Sequence, residues 1–224
     1  MSEPDEPTAS HVPDTPAGYQ PPQKFEYPLW VVVGTVVVLL WLSALVYGTV
    51  LWVVQGPSIL DGVVDTGGSD DAVVFTVDMA QVVVPLVVGI GATTVLHELC
   101  HGLVYRRLGY EVSYGVALHM GAVYAAAFHQ YQTREDALKV LVAPLVCLTA
   151  LSIPLLFVQI PLVALTGFAV LVVNTAGAAG DVFAMWAVNR LPAKSLLYDC
   201  DASHMYVFEP EVGASVSSER GRSR

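Results

Sequence analysis

Residues 82–108 read VVVPLVVGIGATTVLHELCHGLVYRRL, and the architecture of the chain follows from this stretch. Residues 82–96 carry no charge, and apolar character resumes after a short polar cluster and reaches Leu108. At 1.5 Å of rise per residue, a helix needs roughly 20 mostly apolar residues to cross a bilayer. The stretch therefore predicts a membrane-spanning helix with ionisable side chains in its second half.

The composition of the whole chain is that of a membrane protein. Hydrophobic residues make up 54% of the 224 residues, charged residues make up 13%, and the mean hydropathy is +0.59. The charged fraction is about half that of soluble domains, which excludes an ordinary soluble enzyme. The net charge of -10 leaves no basic excess to neutralise phosphates, so we expect no nucleic acid partner.

Further uncharged blocks predict an all-α polytopic membrane protein with about four transmembrane helices. The expected spans are residues 28–54, 82–108, 138–157 and 162–188, with a turn at 159–161 between the last two. Residues 1–24 and 213–224 are rich in polar and charged residues and predict disordered tails around a membrane domain of residues 25–212.

The distribution of Lys and Arg predicts the orientation in the cell membrane. Residues 55–81 contain neither, whereas Arg106 and Arg107 follow the second span and Arg190 and Lys194 follow the fourth. The positive-inside rule then places both termini in the cytosol, in agreement with an even number of spans.

Residues 97–101 read HELCH, an HExxH pattern on the second span. His97 and His101 are separated by four residues, so both imidazoles share one helix face and can reach one metal ion. Glu98 projects about 100° away and could act on a metal-bound water. The alternative is a hydrogen-bonded polar cluster that joins helices, because such side chains are unfavourable facing lipid.

Asp181 is the candidate third ligand, because its depth matches that of His97. His97 lies nine residues before Arg106, and Asp181 lies nine residues before Arg190. Both helices run toward the cytosol, so both groups are expected about 13 Å inside the cytosolic boundary. A catalytic zinc ion takes three protein ligands and keeps one open position.

Asn174 precedes Asp181 by seven residues and lies on the same face of the fourth span. The small residues Gly177 and Ala178 lie between them, and we expect them to let the fourth span approach the second closely. Asn174 could also serve only as an interhelical hydrogen-bonding residue.

These motifs resemble those of site-2 proteases, the intramembrane zinc metalloproteases, and more closely those of the small zincin peptidase membrane family. The resemblance covers roughly residues 80–210 and depends on HELCHG at 97–102 and NTAGAAGD at 174–181. Site-2 proteases typically have a proline-rich Asn…Asp-Gly segment. Here the segment contains no proline, Val182 follows the Asp, and the Asn–Asp spacing is one residue shorter.

The resemblance implies a Zn²⁺ cofactor and a function. It implies His97, His101 and Asp181 as metal ligands, Glu98 as the catalytic base and Asn174 as a catalytic residue that assists the oxyanion. The predicted activity is hydrolysis of peptide bonds in membrane-associated polypeptides. The alternatives are a non-proteolytic zinc-binding scaffold or chaperone, and an ion-coupled transporter, which the lack of internal repeats disfavours.

Two other segments carry candidate functional residues. Residues 111–132 predict a re-entrant or interfacial β element that could bind an extended substrate by strand addition, or an amphipathic interfacial segment. His119 and His129 in it are expected to be polar or supporting residues rather than ligands. Asp199, Asp201 and His204 could form a cytosolic metal clip, although a solvated loop or strand is the favoured interpretation.

Overall fold

The computed structural model describes residues 12–61, 63–69, 72–117 and 122–211, in two compact units. The described part of the first unit comprises residues 12–27, 102–141 and 184–211, and that of the second comprises residues 28–101 and 142–183. The predicted C-terminal tail at 213–224 and residues 1–11 of the predicted N-terminal tail lie outside the described residues.

Three helices of the described chain are long and apolar enough to cross a membrane. They are α1 (Leu29–Gln55), α3 (Met79–Leu108), and α4 (Arg134–Ser152) with the 3-10 segment Ile153–Phe157 that continues it. A short helix α2 (Ser58–Asp61) follows α1. The helices predicted for the first three spans are therefore present, and the third begins four residues earlier than expected, at Arg134.

The predicted fourth span consists of two helices. Helices α5 (Pro161–Gly177) and α6 (Ala179–Asn189) meet at an angle of 42°, and the pair could form one broken span. The span predicted over 162–188 is therefore not one continuous helix, because it is interrupted at Ala178. Gly177 and Gly180 flank the break, and glycine weakens a helix by about 1 kcal/mol relative to alanine, so the bend occurs without proline.

The second unit is held together by the packing of α1 and α5. Leu51, Ile59, Leu156, Ala164 and Leu171 form its buried cluster. The side-chain amide of Gln55 closes the end of α1, because its Nε2 donates to the backbone carbonyls of Leu156 at 2.7 Å and Val158 at 2.9 Å. This unit also contains the antiparallel hairpin of β2 (Val64–Ser69) and β3 (Ala72–Val77).

The first unit contains more β structure than the small element that the sequence predicts. An antiparallel sheet has the order β1 (Gln23–Phe25), β8 (His204–Phe208), β7 (Leu196–Asp201) and β6 (Tyr131–Thr133). Strands β4 (Ser113–Ala117) and β5 (Ala122–Ala126) form a separate hairpin. The predicted N-terminal tail of residues 1–24 thus includes residues that the structure pairs in a sheet.

Candidate metal centre

His97 and His101 share one face of α3, as their spacing requires. Their relative exposures are 9% and 7%, so both imidazoles are buried within a mostly apolar helix. The two rings meet edge to face, with their centroids 5.0 Å apart. Buried imidazoles require polar partners, and the partners come from elements far along the chain.

Asp181 approaches both imidazoles from the first turn of α6. Its Oδ2 atom lies 2.9 Å from Nε2 of His97 and 3.5 Å from Nε2 of His101. The amide groups at a helix N-terminus favour a nearby carboxylate, and the break before Ala179 places Asp181 at such a terminus. The helix break therefore positions the carboxylate as well as bending the span.

Asn174 is completely buried, with 0% exposure, and connects three helices. Its Oδ1 atom lies 3.2 Å from Nδ1 of His97 in α3. Its Nδ2 atom donates to the backbone carbonyl of Pro144 in α4, at 3.4 Å. The same side chain therefore contacts the nitrogen of His97 that faces away from Asp181.

Glu98 is half-buried and belongs to a group of potential ligands. Among the described residues, one ligand-type atom each of His97, Glu98 and His101 lies within 4.8 Å of the others. Asp181 Oδ2 is within 3.5 Å of both imidazoles. The site thus has two carboxylates near the two imidazoles: that of Glu98, which follows His97 on α3, and that of Asp181 from α6.

This donor set fits a zinc ion. Two imidazole nitrogens and one carboxylate oxygen are a known ligand set for catalytic Zn²⁺. With tetrahedral bonds of about 2.0–2.2 Å, ligand atoms lie roughly 3.3–3.6 Å apart. The 3.5 Å between His101 and Asp181 agrees, and the 2.9 Å between His97 and Asp181 would need to open by about 0.5 Å. His97, His101 and Asp181 could hold the ion, as could the group of His97, Glu98 and His101.

The close helix approach predicted at Gly177 occurs at a different glycine. Apart from its chain neighbours and the backbone of its own helix, no described atom lies within 4 Å of a Cβ built on Gly177. A Cβ built on Gly89 of α3 would instead lie 2.8 Å from the Cβ of Ala169 in α5. Ala178 is fully buried, as a small residue at the break. The prediction for Gly177 is therefore wrong, because the break turns this residue toward open space.

The sequence interpretation did not identify Pro144 or Gly89. Pro144 contributes only a backbone carbonyl, and a proline in an apolar run has no pattern that marks it as a hydrogen-bond acceptor. Gly89 was detectable as a small residue eight positions before His97, but Gly91 has the same signal and faces open space in the described structure.

The remaining candidates lie in the first unit or outside the described residues. His119 is not among the described residues. His129 is exposed, has a φ of 59°, and lies with its ring centroid 6.2 Å from that of Tyr198. Asp201 pairs with His204 at 2.9 Å across the end of the β7–β8 hairpin, which agrees with the strand interpretation of this segment.

Among the described acidic side chains outside the apolar helices, Asp199 has the largest change in pKa. Gln132 Nε2 donates to its Oδ2 at 2.8 Å, and Tyr105 donates in turn to Gln132 Oε1 at 3.0 Å. Desolvation by the surrounding protein raises the pKa of Asp199 to about 6, against the lowering effect of the Gln132 hydrogen bond.

Comparison with protein families gives an independent result. Residues 90–196 match the model of a family described as "Putative zincin peptidase". The match contains the HELCH motif, Asn174 and Asp181. No curated protein and no solved structure matches the chain. The family description indicates zinc metallopeptidase chemistry at a coarse level, and the site-2 protease resemblance is compatible with it.

Proposed function

We propose that the protein is an intramembrane zinc-dependent endopeptidase that hydrolyses membrane-associated polypeptides. The observation that carries the proposal is the approach of the Asp181 carboxylate to both motif imidazoles inside apolar helices. The family match over residues 90–196 supports the same chemistry. Both termini are cytosolic in this proposal, as the Lys and Arg distribution predicts.

The chemistry assigns a different task to each side chain. A Zn²⁺ ion, which His97, His101 and Asp181 would hold, would supply Lewis acidity and an activated water. Glu98 accepts the proton of the attacking water and later delivers it to the leaving amine. Its place beside His97 on α3 keeps this carboxylate near the reacting atoms without requiring it as a ligand. An intact Glu98 favours an enzyme over a zinc-binding scaffold, which would not need a base.

The β4–β5 hairpin is the candidate substrate-binding element. A helical segment hides its carbonyl carbons, so cleavage needs a locally extended substrate. The hairpin has two strands in the described structure, which leaves the outer edge of each open to strand addition. Tyr114 of β4 packs on Gly102, the residue after His101, where any larger side chain would overlap the Tyr114 ring.

The test uses purified protein in detergent micelles, a zinc assay and a peptide probe. The probe is a synthetic single-span peptide with a Gly-Pro pair in its apolar segment and a quenched fluorophore. We expect the wild type to bind one zinc ion per chain and to cleave the probe. Glu98→Gln should keep the zinc and lose at least about 100-fold in rate, because general base catalysis is lost.

Two controls separate the rival functions. Asp181→Ala should lose both zinc and cleavage, because the site then has two protein ligands. If the wild type and Glu98→Gln both bind zinc tightly and neither cleaves the probe, the result would support the scaffold instead. Zinc- or proton-coupled flux into liposomes from the wild type would support the transporter.

A further inference from the structure

We propose that Asn174 is a positioning residue that sets the tautomer of His97 and thereby directs its Nε2 atom to the metal. The proposal deepens the metal site of the proposed function. It concerns metal affinity, so it can hold even if the protein cleaves no peptide. It also replaces the oxyanion role that the family resemblance implies for Asn174.

The orientation of the Asn174 amide follows from its second partner. The backbone oxygen of Pro144 can only accept a hydrogen bond, so the atom 3.4 Å from it must be the amide nitrogen. The amide oxygen then faces Nδ1 of His97 at 3.2 Å. The flipped amide would place two oxygens against each other in a buried position, which is unfavourable.

The amide oxygen in turn determines which nitrogen of His97 carries the proton. Oδ1 of Asn174 can only accept, so Nδ1 of His97 must be the donor. In a neutral imidazole, Nε2 then presents its lone pair. That lone pair faces Oδ2 of Asp181 at 2.9 Å, and the ionised carboxylate is also an acceptor.

Two acceptors at this distance require a proton or a cation between them. A metal ion bound to both satisfies this requirement, and the geometry is the one in which a metal-binding His donates its other N–H to a fixed acceptor. The proposal thus explains why a fully buried amide lies on the far side of His97 from Asp181.

The burial of Asn174 argues against contact with a substrate. Its exposure is 0%, and its oxygen and nitrogen both have partners within the protein. An oxyanion donor must reach the carbonyl oxygen of the substrate at about 2.7–3.1 Å. Asn174 could do so only by leaving His97 and Pro144.

The experiment measures the zinc dissociation constant by competition with a chelator in detergent micelles, for the full chain and three variants. Asn174→Leu removes the acceptor at similar size and should weaken zinc binding about 10–100-fold. Asn174→Asp retains an oxygen facing His97, and its buried carboxyl group, when protonated, also retains a donor for Pro144, so zinc affinity should stay within about threefold of wild type. Thr175→Val is the matched control at the next residue. It removes the hydroxyl of Thr175, which lies 3.4 Å from the hydroxyl of Tyr47, and should not change zinc affinity.

A second readout separates positioning from catalysis. With ¹⁵N-labelled histidine, zinc-loaded wild type should show His97 protonated at Nδ1 and coordinated through Nε2, with the signal assigned by its loss in His97→Gln. At saturating zinc, Asn174→Leu should recover most of its cleavage rate. Asn174→Leu could instead keep its zinc affinity and lose about 100-fold in rate, a loss that saturating zinc does not restore. That result would establish the oxyanion role and overturn the proposal.

Protein folding is checked on the metal-free variants by circular dichroism. If Asn174→Leu does not fold, Asn174→Asp decides the question. A folded Asn174→Asp that loses more than tenfold in zinc affinity would overturn the proposal, because its protonated carboxyl group retains both the acceptor for His97 and a donor for Pro144. An affinity near that of wild type, with His97 still protonated at Nδ1, would support it.

Discussion

Substitution of Gly89 by alanine tests whether close packing of α3 against α5 holds the metal centre together. The Cβ atom added at Gly89 would lie 2.8 Å from the Cβ of Ala169 and 3.2 Å from its backbone carbonyl carbon. Ordinary carbon–carbon contacts are about 3.5–4.0 Å, so the two helices must separate locally by roughly 1 Å. Overpacking of this kind destabilises proteins by about 1–3 kcal/mol.

The same separation should reach the site. His97 lies eight residues beyond Gly89, or about 12 Å along α3, and Asn174 lies five residues beyond Ala169, or about 7.5 Å along α5. The hydrogen bond between His97 and Asn174 is already 3.2 Å long. If half of the 1 Å displacement is transmitted, this contact exceeds about 3.6 Å and is no longer a hydrogen bond. We therefore expect weaker zinc binding as well as lower stability.

Gly91→Ala is the matched control. It lies two residues further along the same helix, and no described atom outside this helix comes within 4 Å of a Cβ built there. Both variants gain the helix propensity of alanine, about 1 kcal/mol, so their difference isolates the clash. Unfolding is followed by circular dichroism during SDS titration of mixed micelles, and zinc affinity by chelator competition.

The expected difference in unfolding free energy between the two variants is about 1–3 kcal/mol, with Gly89→Ala the less stable. Adding Ala169→Gly to Gly89→Ala should recover part of the loss, because it removes the nearest atom. If Gly89→Ala and Gly91→Ala agree within about 0.5 kcal/mol and bind zinc equally, the close approach of α3 and α5 does not support the site.

Two further predictions concern the first unit. Because burial raises the pKa of Asp199 to about 6, the contribution of Asp199 to stability should fall as pH rises from about 4 to 6 and stay low above it. Asp199→Asn should therefore stabilise the protein by on the order of 2–3 kcal/mol at pH 7.5 but not at pH 4. Equal thermal shifts at both pH values, or the same shift in the exposed control Glu111→Gln, would contradict this. Arg134 donates to the last carbonyls of α6, at 3.1 Å to Val188 and 2.7 Å to Asn189. Arg134→Met keeps the apolar stem and should reduce the unfolding free energy by about 1–3 kcal/mol in the same SDS titration, whereas an unchanged value would show that water replaces the guanidinium.

The apolar helices and the motif face could be predicted from short windows of the chain. A run without charge marks an apolar helix whatever it packs against, and four-residue spacing places His97 and His101 on one face in any helix. The position of Asp181 near them was predictable from its distance to Arg190, because rise per residue converts sequence separation into depth. The role of Asp181 as a metal ligand and the role of Glu98 as the catalytic base remain predictions.

Other features depend on partners that no local pattern names. The sheet joins strand β1 near the N-terminus to β8 more than 170 residues later, and pairing over such a distance depends on the packing of the whole unit. The acceptor for Asn174 is a backbone carbonyl, a group that every residue possesses. Gly89 and Gly91 have equal propensities, and only the neighbouring helix distinguishes them. Composition and periodicity are local properties and could be inferred from the residues, whereas the contacts that orient the metal centre arise from the folded chain.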